Sequence, residues 1–539
     1  MAERERNMLV QGSILAAAGF VTKIIGFLYR IPMANLLGNS GNGIYSVAFG
    51  IYNIALTLSS CSMPLAVSKN VSARVAAGNP AGARRVFFDA LAMAAGMGAL
   101  AALALWLGAD GLEVLYHRPG LALPLRILAP TTFVVALLGT FRGWFQAHGN
   151  MVPTAISQIL EQIMNALVSV IAAWQLMRLY ASDAQAAAYG AAGGTLGTLA
   201  GALTGLGFVV FLFFRTRPGR IAPAGQPEEH ALICRQLLLT ILPVILSQTI
   251  YQIGYTLDDF VFGNLMALKG FSDNAVSSLQ GVFNTQYNQM VNLPVAVATA
   301  MAAATIPSIV SATVSAAGQE RRRLLQRKIT LVIKVNMVVA IPCAVGLAVL
   351  ARPIMHLLFP SLGDQEIVAV RLLQTGSSAS VFYALSTIST SVLQAGDHMR
   401  TPVRHSAVSL AIHVALTAAL LWLTDLGVYA LVIGNVTFPL LVSVLNCRSL
   451  AGTMHYRFRF ARTFGVPLVS GAAMGAVTWA SYRLATLALP SAVGLLISLA
   501  ASVAVYGYLI LRLHCFADRQ LLELPMGGKL LRLAKRLER

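Results

Sequence analysis

The chain has 539 residues, of which 57% are hydrophobic and only 11% are charged, and its mean hydropathy is +0.71. That balance excludes a soluble domain of this length and defines a membrane protein with many spans. The net charge of +19 is spread along the whole chain, with no single basic patch interleaved by aromatics, which argues against nucleic acid as a partner.

Apolar runs of about 20 residues, the length that crosses a hydrocarbon core, recur from residue 9 to residue 514. They are continuous rather than alternating, so the expected fold class is an all-α polytopic membrane protein and not a barrel. Fourteen spans are predicted, at 9–34, 44–68, 86–108, 121–146, 152–177, 186–214, 236–267, 276–312, 329–351, 369–395, 403–423, 427–447, 463–486 and 490–514. The first run continues through Lys23 and Arg30 with no short h-region or small-residue cleavage site, and reads as a retained helix. With the spans set alternately, 30 of the 39 Lys and Arg fall on the side of both termini and 7 on the other, leaving Lys23 and Arg30. The positive-inside rule then places both termini in the cytoplasm.

In the first span Gly12, Gly19 and Gly26 recur every seven residues, and so do Lys23 and Arg30. Seven residues is nearly two helical turns, so a glycine stripe flanks a basic one. A Lys or Arg at mid-bilayer costs about 2.5–3.5 kcal/mol on insertion scales, so both should face a hydrated cavity or a partner. Arg30, near Pro32 and the outer end, is also compatible with snorkelling; Lys23 is less so. Lys69, at the inner end of the second span, is equally readable as a cytoplasmic anchor, and Arg142, a turn inside the fourth, reads first as a boundary anchor. In the fifth span Glu161, beside Gln162 and Asn165, is a partner for one of these cations or a protonatable coupling group.

The stretch "RTRPGRIAPAGQPEEH" (215–230) reads as a linker. In the seventh span, "SQTIYQIGYTLDDFVFG" holds Gln252, Asp258 and Asp259; adjacent residues point about 100° apart, so one aspartate faces the cavity while the other bonds a neighbouring helix or is protonated. The eighth, "QGVFNTQYNQMVNLP", offers amides including Asn284 and Asn288, suited to a polyhydroxylated substrate or to bonding between helices. "FQAHGNMVPTAISQ" and "LQAGDHMRTPVRHS" resemble each other at an offset of 248 (Gln146 to Gln394), and the stretches from Met63 and Leu293 at offsets of 230 to 240. Two halves of six spans follow, in parallel orientation as in alternating-access transporters, with two helices appended. The expected division is an N-terminal lobe at 1–214, a linker at 215–235, a C-terminal lobe at 236–447, appended helices at 448–514 and a basic tail at 515–539. In that tail Leu530, Leu533 and Leu537 share a face, which suits a helix lying on anionic lipid or a solvated tail.

The five cysteines are scattered without a C-x-x-C pair, the histidines are dispersed, and no Walker A loop, H-E-x-x-H or G-x-S-x-G context occurs. The sequence therefore leads us to expect no enzyme, no catalytic residue, no metal and no cofactor beyond a coupling ion or the membrane potential.

The opening "AAAGFVTKIIGFLYRIPMANLLGNSGNGIYSVAFGIYNIALTLSSCSMPLAVSKNVSAR" resembles the start of SpoVB-like polysaccharide-export proteins, relatives of the MurJ lipid II flippases in the multidrug/oligosaccharidyl-lipid/polysaccharide superfamily. Lys23, Gly26-Phe27, Arg30, "LLGNSGNGIY" and "MPLAVSK" carry the resemblance, with both Gln-Ala turns. It implies a V-shaped, two-lobed transporter whose central cavity holds the pyrophosphate of a polyprenyl-linked saccharide on basic side chains. Lys23 and Arg30 match the basic positions of the first-helix motif, and Lys69 and Arg142 are further candidates for the head group. Glu161, Gln252, Asp258, Asp259, Asn284 and Asn288 are candidates for coupling or for the cavity wall. Arg30 stands four residues after Gly26, as in SpoVB-like members, where many MurJ proteins have three. The expected function is a monomeric flippase for an undecaprenyl-pyrophosphate-linked cell-wall precursor, lipid II foremost, in the cytoplasmic membrane, with membrane lipids as its other partners. The alternatives are another lipid-linked oligosaccharide exporter, an ion-coupled multidrug exporter, and a scaffold without transport.

Overall fold

The computed structural model describes residues 2–60, 62–183, 185–216, 229–314, 318–523 and 527–538. Among them there is no β-strand. The chain forms two compact units, residues 1–285 and 286–539. The first contains α1 (Ala2–Ser59), α2 (Met63–Ala76), α3 (Pro80–Leu115), α4 (Ala122–Ala147), α5 (Val152–Leu179), α6 (Ala186–Thr216), α7 (His230–Leu268) and α8 (Asp273–Gly281). The second contains α9 (Asn288–Val314), α10 (Gly318–Val349), α11 (Ala351–Leu358), α12 (Glu366–Gly376), α13 (Ala379–Ala395), α14 (Arg400–Leu423), α15 (Val428–Thr453), α16 (Val466–Ala485), α17 (Ser491–Arg512), α18 (Asp518–Leu522) and α19 (Gly527–Glu538).

Among the described residues, ten helices are long and apolar enough to cross a membrane. Fourteen were expected, and two regions account for part of the difference. The predicted spans 9–34 and 44–68 run together, because the anticipated polar loop is helical except at Gly38 (φ 64°, ψ −178°), a conformation open only to glycine. The helix bends there, and Asn42 Nδ2 donates to the Ala34 carbonyl (2.8 Å) close to the break. The predicted span 369–395 is interrupted between α12 and α13.

The polarity of the surface is that of a protein in lipid. Leu100, Leu103 and Leu107 of α3 are exposed, while Thr131, Thr132, Ser157 and Ser169 are buried, their hydroxyls largely bonded to helix carbonyls. An aromatic cluster anchors the first unit: Phe87 lies 5.0 Å from Trp144 and 5.0 Å from Phe213, measured between ring centroids. Ile233, Leu237 and Ile241 of α7 join the same core. Helices α7 and α8 thus belong with α1 to α3, whereas the sequence placed a boundary at 215–235. The physical reason is close backbone packing: a Cβ on Gly43 would overlap the Ser277 carbonyl, and one on Gly281 would overlap the Asn39 carbonyl, so α1 and α8 meet without side chains between them. Most of the predicted linker (217–228) lies outside the described residues.

In the second unit, Lys334 of α10 is buried; its ammonium donates to the Cys515 carbonyl (2.8 Å) and to Gln520 (3.0 Å) and sits over the Phe516 ring. The tail is thereby pinned. Helix α19 packs Leu530, Leu531 and Ala534 on the core while Leu533 is exposed, so the apolar face turned inward differs by one position from the predicted one.

Candidate functional site

Helix α5 is the organising element of the first unit. Its neighbour α6 presents Gly193, Gly197 and Gly201 at four-residue spacing, and backbone approaches side-chain distance: a Cβ on Gly197 would lie 2.5 Å from the Asn165 carbonyl, and one on Gly201 would lie 2.5 Å from that of Glu161. Only glycine permits this seam. It fixes α5 so that Glu161, Gln162 and Asn165 project toward α4 and α1.

Toward α4, Glu161 forms an ion pair with Arg142 (2.7 Å), and the Arg142 Nε donates to Ser157 (2.9 Å). Arg142, read from the sequence first as a boundary anchor, is therefore held by a carboxylate across two helices. Toward α1, the amide of Gln162 lies against Gly26, and Asn165 Nδ2 donates to the Tyr29 hydroxyl (3.4 Å). Lys23 and Arg30 stand on this same stretch of α1, and both side chains are exposed. The glycine stripe does not act as one: Gly26 packs on Gln162 and Gly19 has nothing near it. Lys69 is exposed on α2.

A second constellation joins α7, α8 and α1. Asp259 is buried and accepts from Gln280 Nε2 and from Asn284 Nδ2 (2.6 Å); Asn284 also donates to Ser46 (3.3 Å). The other end of Gln280 accepts from Arg118, which donates further to Ser277 (3.2 Å) and the Asp273 carbonyl (3.4 Å). One amide thus bridges a buried guanidinium and a buried carboxylate, giving each a polar partner. Arg118 lies in the turn between α3 and α4, where burial pushes its pKa down to about 10 against the opposing pull of Asp259 and Asp273. It stays charged at neutral pH. Asp258 is only half buried, consistent with the 100° between adjacent helical positions. Gln252 is half buried on α7, one turn before Thr256, which bonds its carbonyl (3.2 Å). Asn288 belongs to the second unit and accepts from Asn435 (2.8 Å).

The structure therefore brings together Arg142 with Glu161, and Asp259 with Asn284, and leaves Lys23 and Arg30 exposed on the stretch of α1 that packs on α5. Neither Lys69 nor Gln252 joins these groups by a side-chain bond among the described residues, and Asn288 belongs to the other unit. Sequence reasoning missed Arg118, which was absorbed into the seven basic residues of the outer side. Its partners are more than 150 residues downstream, and only a charge next to a proline in an otherwise near-neutral turn could have flagged it.

Long apolar helices closing on buried charges and amides define a multi-pass membrane protein, and the fold is that of known transporters. A solved structure of the lipid II flippase MurJ in an inward closed conformation superposes with a TM-score of 0.68 at 12% identity, covering 93% of this chain and 98% of that one. An inward-facing multidrug resistance transporter of the MATE family in the MOP superfamily superposes at 0.64 with 16% identity, covering 80% and 95%. The chain belongs to the polysaccharide biosynthesis protein family, whose model matches residues 9–313. Stage V sporulation protein B of Bacillus subtilis (strain 168) is 24% identical over 527 residues, 96% of this chain and 98% of that protein. The lipid II flippase MurJ of the same organism is 24% identical over 488 residues, 87% of each. The relatives whose names state an activity are a flippase and transporters rather than enzymes.

Proposed function

We propose that this protein is a flippase that carries a polyprenyl-pyrophosphate-linked saccharide across the cytoplasmic membrane by alternating access, with lipid II as the first candidate. The observation that carries the reading is the exposed pair Lys23 and Arg30 on the α1 stretch that packs against Gln162 and Asn165. A cation in a bilayer is stable only beside water or an anion. A pyrophosphate supplies that anion: arginine grips it with a planar fork and lysine with a point charge, while the neighbouring amides suit sugar hydroxyls. The similarity to MurJ and to stage V sporulation protein B supports the substrate class.

In this reading both termini are cytoplasmic, the protein acts as a monomer, and Arg142 is spent on Glu161 rather than on substrate. Two sources of drive fit the chain: the membrane potential, at about 2.3 kcal/mol per charge per 100 mV, and an ion gradient acting through Asp258 or Asp259. A lipid-linked oligosaccharide other than lipid II is the second reading, compatible with a family described as polysaccharide biosynthesis proteins.

The test is flipping of a fluorescent polyprenyl-pyrophosphate disaccharide in proteoliposomes. Lys23→Ala and Arg30→Ala are each expected to slow flipping at least tenfold, the loss of one charge-assisted contact of about 1.5–3 kcal/mol. Wild-type rates in both variants, at equal protein incorporation, would remove the proposed site.

A further inference from the structure

The second unit holds a cavity of about 440 Å³ that the flipping site does not use. Its walls are Phe382 and Leu385 of α13, Leu440 of α15, and Phe458, Phe460 and Phe464 from the connection into α16. The connection is irregular over 455–459, and in "YRFRF" Tyr456, Phe458 and Phe460 alternate in sequence with Arg457 and Arg459. Phe458 and Phe460 stack at 5.6 Å. Among the described lining residues the polar side chains are few. Ser443 spends its hydroxyl on the Phe382 carbonyl (3.0 Å), the Cys447 thiol is a weak donor, and Arg448 is exposed five residues before the end of α15.

A water molecule needs two to four polar partners to be held in a cavity. None of the surface that this one exposes is polar, Arg448 meeting it through its apolar stem, so water is a poor occupant. The cavity is open, with Val444 and Phe460 both largely exposed on its rim, and the medium outside an apolar rim of a membrane protein is hydrocarbon. Its volume falls within the range of ligand pockets. Arg448 lies at the level where α15 leaves the bilayer, on the same side as the C-terminal tail, since α16 and α17 form a hairpin.

We infer that this groove is a binding site for an anionic membrane phospholipid, one acyl chain lying against Leu385, Leu440 and Phe458 and the head-group phosphate resting on Arg448. The inference goes beyond the flipping reading and does not depend on it. Basic residues next to apolar grooves at the cytoplasmic ends of spans are suited to acidic head groups, and one such cation is worth about a fivefold preference.

The experiment uses the full chain carrying Phe460→Trp in phosphatidylcholine nanodiscs, with the signal of the five native tryptophans subtracted. Brominated phosphatidylglycerol and brominated phosphatidylcholine are titrated separately as quenchers. Half-quenching by the anionic lipid is expected at about fivefold lower mole fraction. Arg448→Gln should erase that difference while leaving quenching itself, and Ala451→Phe, which fills the groove, should weaken quenching by both lipids. Equal potency of the two lipids in the Phe460→Trp chain overturns the proposal. Recovery of fluorescence on adding equimolar undecaprenyl phosphate also overturns it, by assigning the groove to a polyprenyl chain.

Discussion

The turn from α4 into α5 and the turn from α13 into α14 make the same backbone bonds. Asn150 N–H reaches the Phe145 carbonyl (3.1 Å) in the first, and His398 N–H reaches that of Leu393 (2.9 Å) in the second. Gly149 (φ 73°) and Asp397 (φ 68°) take the left-handed position at the same step. The correspondence runs on at 248 residues along α5 and α14, while the glycines that pack on them stand 237 apart. Gly197 of α6 abuts Asn165 and Ser169, and Gly434 of α15 abuts His413 and Thr417, which are the same two positions of α14. The chemistry at equivalent positions nevertheless differs. Arg142, Ser157 and Glu161 form an ion pair with a hydroxyl; Thr390, His405 and Ser409 replace them, and Asn446 reaches in to bond Thr390 (2.9 Å) and His405 (2.8 Å). One scaffold is thus used twice, with charge kept in a single copy. Backbone bonds and glycine seams constrain the repeat, and the side chains they present are free to diverge.

The largest test of that contrast is removal of one charge. Glu161→Ala leaves the mostly buried Arg142 without its carboxylate and should cost about 3 kcal/mol, a loss that Arg142→Met in the same chain should largely reverse. Thermal unfolding of the two single variants and the double variant in detergent measures the cycle; additive losses would show that the pair is not coupled. Next in size are the seams. Gly197→Val meets backbone at 2.5 Å, whereas Gly434→Val meets the His413 ring at 2.7 Å and the end of Thr417, which can turn aside. Overpacking of this kind costs about 1–3 kcal/mol, and Gly197→Val should fall at the upper end and Gly434→Val at the lower, read from melting temperatures. The smallest effect belongs to the neutral network: Asn446→Ala removes hydrogen bonds to Ser389, Thr390 and His405 and should cost about 1–2 kcal/mol, with no rescue available from a charge-removing partner.

Long apolar runs and the Gln-Ala turns were readable because they are local or periodic. The bend at Gly38 was not: "LLGNSGNGIY" has the composition of a loop, and only tertiary packing on α8 and α5–α6 makes it helical. The pairing of Glu161 was open between several cations, and the choice of Arg142 depends on the rotation of α5, which the α6 seam sets. The packing of α8 on α1 rests on two glycines, Gly43 and Gly281, that look like any others in a chain with 45. Arg118 illustrates the same limit for a site residue, because what identifies it is a contact and no pattern precedes it.

The anchoring of Lys334 has a consequence in time. Its acceptor Cys515 is made 181 residues later and Gln520 later still. At about 5–20 residues per second, the ribosome leaves that ammonium without its final partners for roughly 10–40 s. Throughout that interval the nascent protein carries an unsettled cation within α10, and the connection after α17 together with α18 settles it.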